Sequence, residues 1–556
     1  MKQGVQPVQV FLSENHKIAN IKEGEKNMKR RILLCFVLLF AMFLVACSNS
    51  DPSGGEKQTT DKEEAPENFQ STGYPIVNDS ITLQIMGKRS PIQPEWGDMG
   101  FFQEMEQLTN IKLDYRTATG DDFTQNKQLA FASLELPDFL YGADLTTSEE
   151  VDFGTQGLLI PLEDLIDKYA PNFKKLMTEN PDLAASITTP DGHIYALPGI
   201  DSSQTSKTPI MWLNGPWLEK LGVDKPQTMD DFYQLLKRFK EEDPGNVGDV
   251  IPLTANNPAD LRVGLLPNFG IVQQDGIYED NGIVKYAWIQ DEFKEYLKYL
   301  NKLYSEKLLD NEMFGHTWEQ FIAKGKRTGV FSTWPIVQVG FEDVTEALNY
   351  PVLSPMTSST NDQKLTILMS DIRRGRAAIT KDNPYPEATM RWIDHAYSEE
   401  GTILARLGIE GKTFKWNDDH QWELLQDPGL STTETNAKHA PGVGTNVPMV
   451  LTEEFFNKEG GNPTILEIYK WVSEELIPYA KSPYPLVYFT EEEQKRISAL
   501  KPDIDTYFEQ AEAKFITGAE SIDAGWEKHL ETMEKLGINE LVSIHQAAYD
   551  RWAESQ

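Results

Sequence analysis

Cysteine is almost missing from this chain: two of its 556 residues are cysteine, Cys35 and Cys47, and none follows. A disulfide framework is therefore excluded for the folded body, which must rely on apolar burial. Positive charge is scarce as well. Lys and Arg number 52 against 86 Asp and Glu, a formal net charge of −34. A surface of that sign repels phosphate backbones, so nucleic acid is excluded as a partner, and self-repulsion favours a soluble monomer. Several catalytic motifs are missing too. There is no His-Glu-x-x-His, no Gly-x-Ser-x-Gly, no Walker loop and no cysteine nucleophile past Cys47, and the eight His fall at no metal-ligand spacing. His193 and His395 read as surface or satisfied core residues. The paired carboxylates of a glycosidase can always be imagined among 86 acids, so their abundance carries no argument.

Hydrophobic residues make up 40% of the chain and charged residues 25%, the proportions of a folded globular protein. Near the start, Lys29-Arg30-Arg31 is followed by an uncharged run over 32–46. At about 1.5 Å per residue that run covers roughly 22 Å, short of the roughly 30 Å hydrocarbon core. Its length suits a signal peptide rather than a permanent span. The run ends Leu44-Val45-Ala46-Cys47 and turns polar at Ser48. This end resembles the lipobox of bacterial lipoproteins, in which Leu44, Val45 and Ala46 fit the signal peptidase and the Cys47 thiol takes a diacylglycerol. The expectation is a protein lipid-anchored at the outer face of the cytoplasmic membrane, in the Gram-positive manner. Residues 28–46 are then the signal peptide, starting at Met28, and 1–27 an upstream extension. Residues 47–75, rich in Ser, Asp, Gly, Glu, Lys and Pro, read as a flexible tether with too little apolar surface to order itself.

Past the tether, alternating residues predict a strand over 81–86, a helix over 101–108, a strand over 111–115, a helix over 126–133 and a strand over 137–141. Strand-helix alternation predicts an α/β architecture with a parallel sheet and a ligand beyond the carboxyl ends of the strands. Apolar residues at three-to-four spacing predict helices over 293–304, 387–397, 464–476 and 491–508. Thr228, with Asp231 three residues on, predicts a capped helix over 229–240. Asp191-Gly192 predicts a tight turn entering 194–197.

A series of short pieces in fixed order carries a resemblance. They include Leu134-Glu135-Leu136-Pro137-Asp138, Gly157-Leu158-Leu159-Ile160-Pro161-Leu162, Asp191-Gly192-His193-Ile194-Tyr195-Ala196-Leu197-Pro198, Trp217-Leu218-Glu219-Lys220-Leu221-Gly222 and Gly408-Ile409-Glu410-Gly411-Lys412. In this order they resemble the extracellular solute-binding proteins of ABC importers, family 1, in the long lipoprotein subgroup of Bacillus-like bacteria. The resemblance implies a periplasmic-binding-protein-like α/β fold, two discontinuous lobes joined by crossing hinge strands and closing on ligand like a clam shell. One crossing is expected over 210–214 and the return near 377–380. One lobe would then take 76–205 plus about 380–430, and the other 206–379 plus about 431–556. The resemblance also implies a binder, not an enzyme. A carbohydrate, an oligosaccharide above all, is captured outside the cell and delivered to the permease subunits of an ABC transporter. The 12 Trp fit that ligand, since sugar faces stack on aromatic rings. A surface glycan-degrading enzyme, a ligand-presenting sensor lipoprotein and a binder of a non-sugar solute are the alternatives.

For the site, Val330-Phe331-Ser332-Thr333-Trp334-Pro335 resembles the segment of maltodextrin-type binding proteins whose Trp stacks on sugar, which implies Trp334. The same resemblance places Asp144 and Asp201 at lobe edges facing the cleft, where carboxylates accept from sugar hydroxyls. Trp212, on the crossing strand, is a further candidate that can equally pack beneath the cleft. Arg373, Arg374 and Arg376 offer bidentate partners for a uronic acid, against the plainer reading of a solvated cluster. Members of the subgroup often carry a calcium loop. Here that place reads Asp243-Pro244-Gly245-Asn246-Val247-Gly248-Asp249. Calcium wants oxygen ligands at loop positions 1, 3 and 5, and Gly245 and Val247 have none to offer on a side chain. No cofactor is expected, structural calcium included.

Overall fold

The computed structural model describes residues 68–332, 344–460 and 463–554. Leu44, Val45, Ala46 and Cys47, with the expected signal peptide, lie outside the described residues, and so does Trp334. The tether expected to reach residue 75 is shorter than that. Phe69 already bridges Val77 and meets the Tyr169 ring edge-on at 5.3 Å, and Ile76 is fully buried. Arg391 donates to the carbonyls of Gln70 and Gly73, at 2.6 and 2.7 Å. Partners lying far along the chain order this stretch, and its own composition gave no sign of them.

The first lobe opens with β1 (Ile81–Lys88), β2 (Ile111–Ala118), β3 (Phe139–Tyr141) and β4 (Leu197–Asp201). Helices Gly100–Thr109 and Gly120–Ser133 make the crossovers, so β1 pairs in parallel with both β2 and β3, as the alternation predicts. The second lobe begins with β5 (Met211–Leu213) and β6 (Ile251–Ala255), then a hairpin of β7 (Ile277–Asp280) and β8 (Ile283–Tyr286), then β9 (Thr328–Ser332). β10 (Thr366–Ile367), β11 (Ile372–Ile379), a small hairpin of β12 (Phe414–Trp416) and β13 (Trp422–Leu424), β14 (Val450–Leu451) and β15 (Ala480–Lys481) complete the strands described. Two sheets matter for function, β14-β4-β11-β3-β1-β2 and β5-β9-β6.

Each sheet has its own core. Leu83, Ile85, Phe139, Tyr141 and Trp392 pack together in the first lobe, and Phe232, Phe239, Leu253, Tyr296 and Phe508 in the second. Helix Met229–Glu242 shows how local sequence builds this packing. Thr228 and Asp231 form the expected capping box, and Met229, Phe232, Leu235, Leu236 and Phe239 turn one buried stripe toward β6. Gly192, at φ +89°, makes the expected turn, its N–H donating to the Thr189 carbonyl at 2.9 Å. The strand after it starts later than expected, at Leu197.

The lobe boundaries also need correction. β11 lies inside the first sheet, antiparallel to β3 and β4, so the chain has returned by Ile372 and not at 377–380. β14 pairs with β4, which keeps the first lobe going past Leu451 and not only to about 430. Helix Pro463–Glu475 then packs Ile468 and Val472 against Trp212 and Phe331 of the second lobe. An apolar run marks a strand, but not which sheet owns it.

The crossing 202–210 fixes how the sheets meet. β4 is antiparallel to β11, which is antiparallel to β3, so β4 runs parallel to β1 and β3 and ends at the same edge. Across the crossing, Met211 pairs with Ser332, the last residue of β9, and β9 runs parallel to β6. The crossing thus joins carboxyl edge to carboxyl edge, and the two edges look at each other.

Residues 482–490 reach back to the first lobe. Arg374 lies over the Tyr488 ring at 3.9 Å and donates to the carbonyls of Leu486 and Val487, both at 2.8 Å. The Tyr488 hydroxyl donates to Glu150 Oε2 at 2.6 Å, and Glu150 is fully buried with no partner for Oε1 among the described residues. Burial pushes the Glu150 carboxyl up to about 7, opposed by Tyr488 and Arg374. Between about 4.5 and about 7 the folded protein therefore holds a proton that the unfolded chain has released, and stability falls as pH rises. Glu150→Gln should flatten that part of the profile and raise the melting temperature at pH 8 relative to the unmodified chain. Urea unfolding at pH 5 and pH 8 checks this, and an unchanged pH dependence in the variant sinks it.

Candidate functional site

At the carboxyl edge of the first sheet the chain leaves β3 through Gly142 and Ala143 and reaches Asp144 at φ +46°, a conformation a non-glycine residue rarely adopts. Its carboxylate pairs with the Arg376 guanidinium and lies 3.6 Å from Lys88 Nζ, at the end of β1. Asn446 Nδ2 stands 3.5 Å away. A bulge in β11 aims Arg376 at this spot: its register with β4 slips between Arg373 and Ala377. Gly375 makes the bulge possible, at φ +70°, with the Leu145 carbonyl standing 2.1 Å from where a Cβ would sit. Behind Asp144, buried Lys127 pairs with Glu149 at 2.7 Å, and Glu149 also closes the capping box with Thr146.

Opposite, β6 and β9 end at Ala255 and Ser332. A cavity of about 370 Å³ opens there, lined by Asn256, Asp260, Trp318 and Ser332 with Ile210 and Met369 from the crossings. Its volume falls within the roughly 300–1,000 Å³ of small-ligand sites. Asn257 caps helix Pro258–Leu265, receiving the Asp260 N–H at 2.9 Å, which sets the Asp260 side chain at the mouth. Burial raises the Asp260 carboxyl, and the Asn256 side chain opposes it by hydrogen bonding. An indole, an amide, a hydroxyl and a carboxylate over an apolar floor can stack on and hydrogen-bond a polyhydroxylated ring. A larger cavity, about 640 Å³, lies against the same crossings, but it shares only Met369 with this one and none of the edge residues lines it.

Asp144 and Asp201 both stand at the carboxyl edge. The Asp201 carboxylate, however, is turned into the chain. It accepts from Ser203 Oγ at 2.7 Å, the Ser203 N–H at 3.1 Å and Ser206 Oγ at 2.8 Å. Trp212 is 1% exposed and packs among Ile210, Phe331 and Val352, so its ring lies beneath the cleft and offers no face to a ligand. The arginine run, read as a solvated cluster or as partners for a uronic acid, is turned largely onto the protein itself. Arg374 is spent on three backbone carbonyls, Arg373 on that of Ser370, and Arg376 on Asp144. At the expected place of a calcium loop, Asp243 Oδ1 and Oδ2 each accept a backbone N–H, from Val247 and Gly248 at 2.9 Å, and Asp249 pairs with Arg327. Among the described residues no group of three or more His, Cys, Asp or Glu is placed to hold a metal ion.

Sequence reading missed Asn256, Asp260 and Trp318, and met Ser332 only as part of the segment chosen for Trp334. The first two carried a signal, because Asn257-Pro258 with Asp260, directly after an apolar strand, marks a capped helix at a strand's carboxyl end. Trp318 had none. It lies in a five-residue helix too short to show periodicity.

Bacterial extracellular solute-binding proteins match this chain over residues 90–403, and the chain belongs to that family. It is 30% identical over 519 residues to the fructooligosaccharide ABC transporter substrate-binding protein FusA of Streptococcus pneumoniae, covering 87% of this chain and 93% of FusA. It is 21% identical to the polygalacturonan/rhamnogalacturonan-binding protein YtcQ of Bacillus subtilis, covering 94% and 99%. The structure of S. pneumoniae FusA in complex with kestose superposes with a TM-score of 0.73 at 28% identity, over 86% of this chain and all of that one. The two-lobe α/β fold expected from the sequence is the fold of these proteins.

Burial separates the two tryptophans. Trp212→Ala should cost about 3–5 kcal/mol of stability, as for a core aromatic, whereas half-buried Trp318 at the cavity mouth should cost distinctly less. Urea unfolding of both variants checks the order, and equal losses would place Trp318 in the core.

Proposed function

We propose that this chain is an extracellular, lipid-anchored binding protein that captures a neutral oligosaccharide and hands it to the permease of an ABC importer. The observation that carries the reading is the pair of facing carboxyl edges, one with the Asp144 carboxylate among Arg376, Lys88 and Asn446, the other with an indole-walled cavity at Trp318. Neutral sugar is favoured over acidic sugar because Arg373, Arg374 and Arg376 are all engaged inside the protein. A fructooligosaccharide is the first candidate, from the similarity to FusA over most of both chains. Binding without catalysis fits the same relatives, which are binding proteins. The lobes work without a cofactor, the 243–249 segment acting as a turn, and the protein acts as a monomer.

Closure needs a ligand with higher affinity for the closed state than for the open one. Kestose should bind in calorimetry and reduce the radius of gyration in small-angle scattering. Asp144→Ala and Trp318→Ala should each lose at least about tenfold in affinity, roughly 1.4 kcal/mol, with no new product formed on long incubation. Absence of heat with kestose and with other neutral oligosaccharides would overturn the reading.

Anchoring rests on Cys47. Replacing it (Cys47→Ala) should abolish incorporation of labelled fatty acid and release the protein into the medium. Continued labelling of the variant would remove Cys47 from that role.

A further inference from the structure

The half-buried Trp318 stands on an excursion that leaves the second sheet at Leu309, which bridges Leu253 of β6, and returns at Thr328 of β9. Its α-helix, Trp318–Ile322, is five residues long, too short to hold itself, and a single 3-10 turn, Gly325–Arg327, follows it. What closes the excursion at its base is one ammonium group. Lys324, with its side chain 5% exposed, places Nζ at 2.7 Å from Asp310 Oδ2, 3.0 Å from Glu312 Oε2 and 2.9 Å from His316 Nδ1. An ammonium has three N–H donors and no acceptor, so all three are spent here. Burial works against the Asp310 carboxylate, yet hydrogen bonds from Lys324, Thr254 and the Glu312 N–H hold it below its ordinary range.

The consequence falls on His316, whose side chain is 1% exposed. Lys324 can only donate, so Nδ1 must accept, and the proton of the neutral ring sits on Nε2. Nε2–H then donates to the backbone carbonyl of Asn256 at 2.9 Å. Asn256 directly follows β6, and both it and Trp318, two residues past His316, line the 370 Å³ cavity. One chain of hydrogen bonds, Lys324 to His316 to Asn256, therefore ties the two walls of the cavity together.

We infer that Lys324 and His316 are positioning residues of the sugar site, the ammonium fixing the tautomer through which the imidazole holds the Asn256 wall and the Trp318 platform in register. The inference rests on the carbohydrate reading of the cleft and adds to it residues that touch no ligand.

The test uses the full chain and two readouts, kestose affinity and amide hydrogen exchange of the ligand-free protein. His316→Leu keeps bulk but neither hydrogen bond, whereas His316→Gln keeps an acceptor oxygen and an amide donor. The Leu variant should lose at least about tenfold in affinity and exchange faster across 312–323 and 255–260. The Gln variant should return most of both. Should the Leu variant fail to fold, Lys324→Met, which cuts the chain from its other end, is measured in its place. Normal kestose binding by the Leu variant, unchanged exchange in these segments, or a Gln variant as impaired as Leu would each overturn the inference. If the unmodified chain takes up neither kestose nor another neutral oligosaccharide, the carbohydrate reading falls, and the exchange pattern alone decides the positioning role.

Discussion

A parallel strand delivers its last side chains past the sheet edge, and the short crossing from Asp201 to Met211 makes the two edges of this protein confront each other. The cleft follows from that connection. β1, β3 and β4 end on one side, β6 and β9 on the other, and each polar group of the site lies within a few residues of a strand end. The local costs gather there too. Asp144 adopts a left-handed backbone, and Gly375 bulges against the Leu145 carbonyl. Strain of this kind persists where surrounding structure over-determines it, and here Arg376, Lys127 and the Thr146 cap surround one loop.

Scarce cations shape the chemistry of that cleft. In a chain of net charge −34, several basic groups around the edges are paired within the protein: Arg376 and Lys88 with Asp144, Lys127 with Glu149, Arg374 with carbonyls, and Lys324 with three acceptors. An anionic ligand would have to compete with these pairs and bear the desolvation of its own charge. A neutral polyol meets carboxylates and amides with free lone pairs and brings the donors itself. The acidity of the chain, a bland fact about solubility when read from composition alone, acts as a filter on the reading proposed above.

Much of the fold was legible because its signals are local. The strand-helix alternation of residues 81–141, the Thr228 capping box and the long amphipathic helices each depend on residues within a turn or two of one another. The site was legible only as far as strand ends were. The resemblance put Asp144 and Asp201 at lobe edges, but nothing local reveals that Ser203 and Ser206 donate to the Asp201 carboxylate. Nor does anything local show that Trp212 faces Phe331 and Val352. Ownership of β11 and β14 depends on partners more than 150 residues away, beyond the reach of periodicity.

The same contacts say where the lobes can bend. On the side of the second lobe the three crossings are laced by backbone: β10 pairs with β15, the Leu368 N–H donates to Lys481 at 2.8 Å, and the Met369 N–H donates to Lys207 at 2.7 Å. Thr208 and Thr366 join their hydroxyls at 3.0 Å. Beyond Met369 backbone and side chains share the ties: the Asp201 N–H donates to Asp371 at 2.8 Å and the Ser202 N–H to Leu451 at 2.7 Å, with the Ser202 hydroxyl on Asp371 and those of Ser203 and Ser206 on Asp201. Hydroxyl–carboxylate bonds re-form over a range of dihedral angles more readily than a strand ladder does. Ser203 and Ser206 on Asp201 are ties of that kind, lying between the backbone bond at Lys207 and the one at Asp201. Moving a two-lobe hinge from 1:99 to 99:1 takes about 5.5 kcal/mol of differential binding, more than one contact supplies, so on the reading proposed above a ligand must engage both edges before closure becomes favourable.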